Sequence, residues 1–345
     1  MNILEGDIRK LLPNKDDQLK WIARSSHNIK RFSLKEVEAV TKKYKTLIGQ
    51  GSFGEVYKGI LEDKIMVAVK KFKHMHNKTK ENFAKELLVH SQINHRNVTR
   101  LIGYCLEENA SMIVTEFISG GNLSDFLHNS NRSMCLDTRL RIGIECAEAL
   151  SYMHSHMYTR VIHGDIQPAN ILLDHDNLNA KISDFGISRL LNMDKTLYTM
   201  NVVGSIGYMD PLFLRHGRLT TGSDVYSFGI VLIELFTRKR VNREDVNDNL
   251  ADSFTKSLST GFRMLRDMFD AEIAEQSNMK ILEGIGKLAG RGATMSTATV
   301  VRRVLEKNQG RVFTQQPYQR ERDGSTSLPR WKRRPKCRQC RPSKR

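Results

Sequence analysis

The stretch VIHGDIQPANILL, residues 161–173, sets an acid, Asp165, five residues ahead of an amide, Asn170, between two short apolar runs. A second acid, Asp184, follows in KISDFGISR. Any one of the three is readable as a capping or turn residue. In this order they make a chemical set: one carboxylate to accept a hydroxyl proton, and an amide oxygen with a second carboxylate for magnesium, which prefers hard oxygen ligands.

Upstream, IGQGSFGEV, residues 48–56, spaces Gly49, Gly51 and Gly54 between Ile48 and Val56. Glycines let a backbone turn tightly and bring its N–H groups against phosphate oxygens. A dinucleotide-binding turn or a plain glycine-rich hairpin fits the glycines alone equally well. A dinucleotide fold needs a helix next and an acid about 20 residues on, whereas GEVYKGIL predicts a strand. Lys70 ends a later strand in VAVK, and Glu86 sits on the helix after it. A lysine aimed at phosphate needs a carboxylate to hold its flexible stem. The plain alternative is a solvated surface pair.

With 345 residues and 39% hydrophobic content the chain can bury a large core, which excludes disorder as its main state. A net charge of +17 ordinarily points to nucleic acid or an acidic membrane, but the excess is local. Residues 291–345 hold 16 basic and 3 acidic residues, leaving +4 for the first 290. Pro317, Pro329, Pro335 and Pro342 fall in the same stretch, so Gly290 is the expected domain boundary. The basic end RWKRRPKCRQCRPSKR reads as a solvated tail, against a nuclear-import or nucleic-acid patch with Trp331 for stacking. Cys337 and Cys340 supply half a zinc site. The five cysteines lack the spacing of a disulfide framework, and no run nears the roughly 18 to 20 apolar residues that span a bilayer. A soluble chain in a reducing, intracellular compartment is expected.

Periodicity orders the rest. SLKEVEAVTKKY predicts a helix with Ser33 as N-cap and Glu36 three residues on. Residues 44–73 have strand character, KTKENFAKELLVHSQI places Phe83, Leu87, Leu88, His90 and Ile93 on a helical stripe, and LIGYCL and SMIVTEF predict strands. LDTRLRIGIECAEALSYMHSH, SDVYSFGIVLIELFTRK and MKILEGIGKLAG predict helices. The expected fold is α+β and bilobal. A segment 1–43 precedes a small β-rich lobe 44–115, a hinge 116–121, a helical lobe 122–290 and a basic tail 291–345.

The ordered set of the glycine run, Lys70, Glu86, HGDIQPAN and DFG resembles the signature of eukaryotic protein kinases. FSLKEVEAVTKKYKTLIGQGSFGEVYKGIL, QINHRNVTRLIGYCLE, TEFISGGNLSDFLH and TTGSDVYSFGIVLIEL are similar to plant receptor-like serine/threonine kinases of the wall-associated and cytoplasmic types. The resemblance implies ATP and Mg2+ as cofactors. Gly49, Gly51 and Gly54 would cover the ATP phosphates, and Lys70, held by Glu86, would contact them. Asp165 would position the substrate hydroxyl, with Asn170 and Asp184 on the metal. Ile48, Val56, Ala68 and Leu172 would enclose the adenine, and the backbone at Glu116 and Ile118 would bind its edge. Thr115, where this group usually has tyrosine, implies a larger rear pocket. Thr196, Tyr198 and Thr199 are candidate phosphosites in the segment 184–212, Ser205 would lie beside Asp165, and Asp224 would brace the catalytic loop.

Three positions depart from that pattern. Gly164 replaces an arginine that pairs with a phosphorylated activation loop, which removes a control contact. Gln167 replaces a lysine, and losing one electrostatic donor commonly costs about 10² to 10³ in rate. Leu212 replaces a glutamate whose arginine partner, with the final helix, is not recognisable after residue 290. TATVVRRVLEKN, residues 297–308, is a candidate substitute helix. The expected function is phosphoryl transfer from ATP to protein hydroxyls in intracellular signalling, with a nucleotide-binding scaffold of little turnover as the alternative. Expected partners are a protein substrate and a membrane receptor complex rather than nucleic acid. The expected location is the cytoplasm or the inner membrane face through partners, with the nucleus reachable through the basic tail.

Overall fold

The computed structural model describes residues 6–8, 29–51, 54–73, 77–155, 159–191, 197–198, 203–241, 250–260 and 262–289. The basic tail and the candidate helix at 297–308 lie outside them.

The small lobe is one twisted sheet in the order β1-β5-β6-β4-β3-β2. Its strands are β1 (Lys30–Arg31), β2 (Leu47–Gln50), β3 (Gly54–Ile60), β4 (Met66–Phe72), β5 (Leu101–Glu107) and β6 (Ala110–Glu116). Helix α1 (Leu34–Val40) follows β1, and α2 (Asn77–His90) follows β4. Side chains alternate across a strand, so the sheet builds two separate apolar layers. Val67, Val69, Met112 and Val114 face Phe32 and Val37 on the α1 side. Phe72 and Ile113 face Phe83, Ala84, Leu87 and Leu88 of α2. A register shift between Leu101 and Gly103 lets Leu101 and Tyr104 of β5 share the α2 side.

Packing against this sheet begins well before Tyr44. Ser33 caps α1 in a complete capping box with Glu36, as the sequence predicts. Strand β1 runs parallel to β5, with Lys30 opposite Gly103. A Cβ at Gly103 would lie 2.2 Å from the Lys30 carbonyl oxygen, so only glycine admits that strand.

The larger lobe holds α3 (Leu123–His128), α4 (Leu136–Ser155), α5 (Pro211–His216), α6 (Thr221–Thr237), α7 (Leu250–Thr260), α8 (Phe262–Met268) and α9 (Met279–Ala289). Helix α6 is buried on nearly every face, which suits its almost continuous apolar sequence. Helices α4, α7 and α9 surround it, and Leu282 and Ile285 of α9 join the same core. Short strands β7 (Arg160–Ile162), β8 (Ile171–Leu173), β9 (Ala180–Ile182) and β10 (Arg189–Leu191) form two hairpin-like pairs on the side of the small lobe. A further pair joins β11 (Leu197–Tyr198) to β12 (Arg218–Leu219).

One predicted detail differs. Helix α2 ends at His90, and Ile93 lies beyond it in the large-lobe core, because the chain turns at Ser91 and Gln92. In the link between the lobes, Phe117 N–H bonds Met66 O at 3.2 Å and Gly120 N–H bonds Leu173 O at 2.9 Å. Among the described residues, no helix is long and apolar enough to cross a membrane.

Candidate active site

Lys70 comes from the centre of the sheet, on β4 between β3 and β6. Its Nζ lies 2.9 Å from both carboxylate oxygens of Glu86 and 2.7 Å from Oδ1 of Asp184. Three elements, β4, α2 and the loop after β9, thus meet at one ammonium. Glu86 is 4% exposed, whereas the Asp184 side chain is 44% exposed. Burial alone would drive the lysine pKa down, but Glu86 and Asp184 together outweigh it and hold it above the usual range. Burial pushes Glu86 up to about 7 despite Lys70. Burial also opposes the charge on Asp184, and Lys70 with the Gly186 N–H overcomes it, leaving that carboxyl below its usual value.

The loop after β7 is built from the large lobe upward. Asp224, buried on α6, accepts the backbone N–H of His163 at 2.9 Å and of Gly164 at 2.8 Å, the bracing that the sequence pattern implies. The backbone N–H of Asp165 donates to Nδ1 of His163, so that ring carries its proton on Nε2, which faces Ser183 O at 3.0 Å. Asp165 is then gripped at both oxygens. Oδ1 accepts from Ser205 N–H at 3.2 Å, and Oδ2 accepts from Gln167 Nε2 at 3.0 Å and Asn170 Nδ2 at 2.9 Å.

Asn170 also donates Nδ2 to the Asp165 carbonyl at 2.9 Å, which commits the amide nitrogen and leaves the oxygen as the atom able to ligate. With the partly open carboxylate of Asp184 it offers two hard oxygens across one cleft. That donor set fits magnesium, which takes one or two protein oxygens and completes its shell with phosphates and water. The cleft is tight at Gly186, where a Cβ would sit 3.2 Å from Asp184 Oδ1 and 3.4 Å from Lys70 Nζ. Among the described residues, no group of three or more His, Cys, Asp or Glu forms a metal cage of its own.

The remaining predicted residues line up by strand register. Gly49 of β2 faces Val56 of β3, and Val56 faces Lys70 of β4. Ala68 faces Thr115 on β6, and Glu116 ends that strand. Gly51 N–H bonds Gly54 O at 2.9 Å, while Ser52 and Phe53 between them lie outside the described residues. Ile118 falls in the inter-lobe link, and Leu172 on β8 forms an isolated antiparallel bridge with Asn122. Tyr198 is 69% exposed, and Thr196 and Thr199 are not among the described residues. Leu212 is 51% exposed near the start of α5, with its N–H capped by Asp210.

Four features escaped the sequence reading. His90 of α2 places its ring 4.8 Å from Phe185, which in turn lies 5.0 Å from His163, linking the helix to the loop after β7. The side chain of Glu116 holds Lys181 of β9 at 2.7 Å and the N–H of Arg100 at 2.8 Å. His128 and Tyr208 both bond the buried carboxylate of Glu234. Arg139, fully buried on α4, bonds the carboxylates of Asp270 and Glu272. The available signals were an arginine on the apolar stripe of α4 for the last and an acid within the apolar run of α6 for Glu234, and the other two had none.

Residues 42–275 match the family described as protein tyrosine and serine/threonine kinase. Wall-associated receptor kinase 5 of Arabidopsis thaliana is 40% identical over 279 residues, covering 79% of this chain and 38% of that protein. Putative wall-associated receptor kinase-like 16 of the same plant is 39% identical over 280 residues, covering 79% and 64%. The chain therefore spans under two thirds of the length of the relatives it matches. Its match with the family and its likeness to those relatives place the chain in the protein kinase family, among the plant receptor-like kinases.

Proposed function

We propose that the chain transfers the γ-phosphoryl group of ATP, with Mg2+, to serine or threonine hydroxyls of a protein. The observation that carries this reading is the grip on Asp165: both carboxylate oxygens are held by neutral donors, and none of those donors is a cation that would weaken it as a base. Asp165 accepts the substrate hydroxyl proton as the oxygen attacks in line. Lys70, fixed by Glu86, orients the phosphates, and Asn170 with Asp184 holds the metal. Bound Mg2+ would neutralise charge on the phosphates. Gly49, Gly51 and Gly54 cover the phosphates, Ile48, Val56, Ala68 and Leu172 enclose the adenine, and the backbone at Glu116 and Ile118 binds its edge. Ser205, whose backbone N–H reaches Asp165, stands where the resembling serine/threonine kinases keep a hydroxyl, and that resemblance favours a serine or threonine acceptor. Among the described residues of the activation segment Tyr198 is an exposed hydroxyl and a candidate phosphosite, and Thr196 and Thr199 are the other candidates in the sequence. The substrate is an intracellular signalling protein, met in a receptor complex at the membrane.

The test is transfer from labelled ATP with magnesium to the chain itself or a basic protein, followed by identification of the phosphorylated amino acid. Transfer abolished by Asp165→Ala supports the reading. Equal signals from wild type and Asp165→Ala, with ATP still raising the melting temperature, would establish the scaffold instead.

A further inference from the structure

We propose that Asp7 and Ile8, near the start of the chain, are positioning residues for the Lys70–Glu86 pair, acting through helix α2. Ile8 is 0% exposed and belongs to one buried cluster with Phe72, Phe83, Leu87 and Tyr104. Two of those rings flank the pair. Phe72 lies two residues beyond Lys70 on the same face of β4, with the Lys70 ammonium 5.3 Å from its ring centre. Phe83 lies three residues before Glu86 on α2, which puts both on one helix face. The rings meet edge to face at 5.5 Å.

Asp7 fixes the segment to the sheet. Its Oδ2 accepts from Tyr104 Oη of β5 at 2.9 Å and lies 3.3 Å from Arg31 Nε of β1. The acid thus sets the depth at which the neighbouring isoleucine enters the space between α2 and β5. Without Ile8 the cluster loses an aliphatic side chain on the flank of the helix that carries Glu86. A cavity there lets α2 shift and lengthens the Lys70–Glu86 contact.

The proposal rests on the kinase reading for its rate measurement alone. In the full chain, Ile8→Asp should raise hydrogen exchange across Asn77–His90 and lower kcat/KM roughly tenfold, an order set by losing one buried aliphatic side chain. The loss should lie mainly in kcat, and Ile8→Val should restore it. Tyr104→Phe keeps the ring in the core and removes only the hydroxyl, so it should shift exchange the same way without unfolding. A synthetic peptide of residues 1–12, added in excess to the Ile8→Asp chain, should restore α2 protection, while the same peptide with aspartate at position 8 should not. Unchanged α2 exchange in both variants, or equal effects of the two peptides, overturns the proposal. A chain that transfers no phosphate yet shows these exchange changes refutes the kinase reading and upholds this one.

Discussion

Gln167 donates from Nε2 to Oδ2 of Asp165 at 3.0 Å, so a neutral amide stands where a kinase of the resembling pattern has a cation. The carboxylate stays well oriented, but in the proposed reaction the transferring phosphoryl group would meet one charge fewer. Gln167→Lys should therefore raise kcat by about ten- to a hundredfold, within the range for one electrostatic donor, and leave KM for ATP nearly unchanged. Steady-state kinetics on the two proteins decide it. A flat kcat would mean that some other step limits turnover.

His90 is a second place where charge is withheld. Its Nε2 faces the Thr99 carbonyl at 2.6 Å, so that nitrogen carries the proton of a neutral ring. Burial lowers its pKa from 6.5 to about 4, against the pull of the Thr99 carbonyl. The folded protein then binds fewer protons than the unfolded chain between those values, and stability is lost as pH falls from about 6.5 toward 4. Each unit of that gap is worth about 1.4 kcal/mol. Melting temperature measured across this window should fall less steeply in His90→Leu than in wild type. Parallel curves would remove His90 as the titrating group.

The loop around Asp165 and the two lobes were legible because their signals are local. Alternation in VAVK and in the strands after it, glycine spacing, and the Asp165–Asn170 interval each survive in a few adjacent residues. What stayed hidden depends on partners far apart in sequence. Nothing near Ile8 shows that it enters the α2 cluster, because its neighbours there come from α2, β4, β5 and β6. Ile93 was misplaced for a related reason: it falls on the helical stripe, but its burial comes from the large lobe after the helix has ended. His90 likewise gave no hint of its ring contact, since Phe185 lies on the other lobe.

Arg139 shows how a buried charge anchors the large lobe. Its Nε bonds Met134 O and a terminal nitrogen bonds Leu235 O, each at 2.9 Å, while the fork reaches Asp270 and Glu272. Replacing it with methionine keeps much of the volume but removes the guanidinium from two carbonyls and two carboxylates, leaving Asp270 and Glu272 to Arg238 and to backbone N–H groups. Removing one partner of such a buried set costs about 3 to 5 kcal/mol. Thermal unfolding should show a fall of roughly 10 °C for Arg139→Met, given about 2 to 4 °C per kcal/mol in a domain of this size. Lysine should recover only part of it, because it lacks the planar fork. A loss below about 2 °C would show that Arg238, which also approaches Glu272, suffices alone.

Gly164 has a φ of +81°, and its N–H is held by Asp224. The space is open enough for a side chain, since a Cβ would lie 3.6 Å from Ile187 O, so the cost of any other residue is conformational. Gly164→Ala should destabilise by about 1 kcal/mol, read by denaturant unfolding, and leave kcat per folded molecule unchanged. Gly164 also withholds the cation that would answer a phosphate on the activation segment. Phosphatase treatment of the wild type should therefore leave its rate within about twofold, whereas Gly164→Arg should make the rate depend on that phosphate. A wild-type rate that collapses after phosphatase would show that another cation has taken the role, and Arg189, close to the loop on β10, is the residue to replace next.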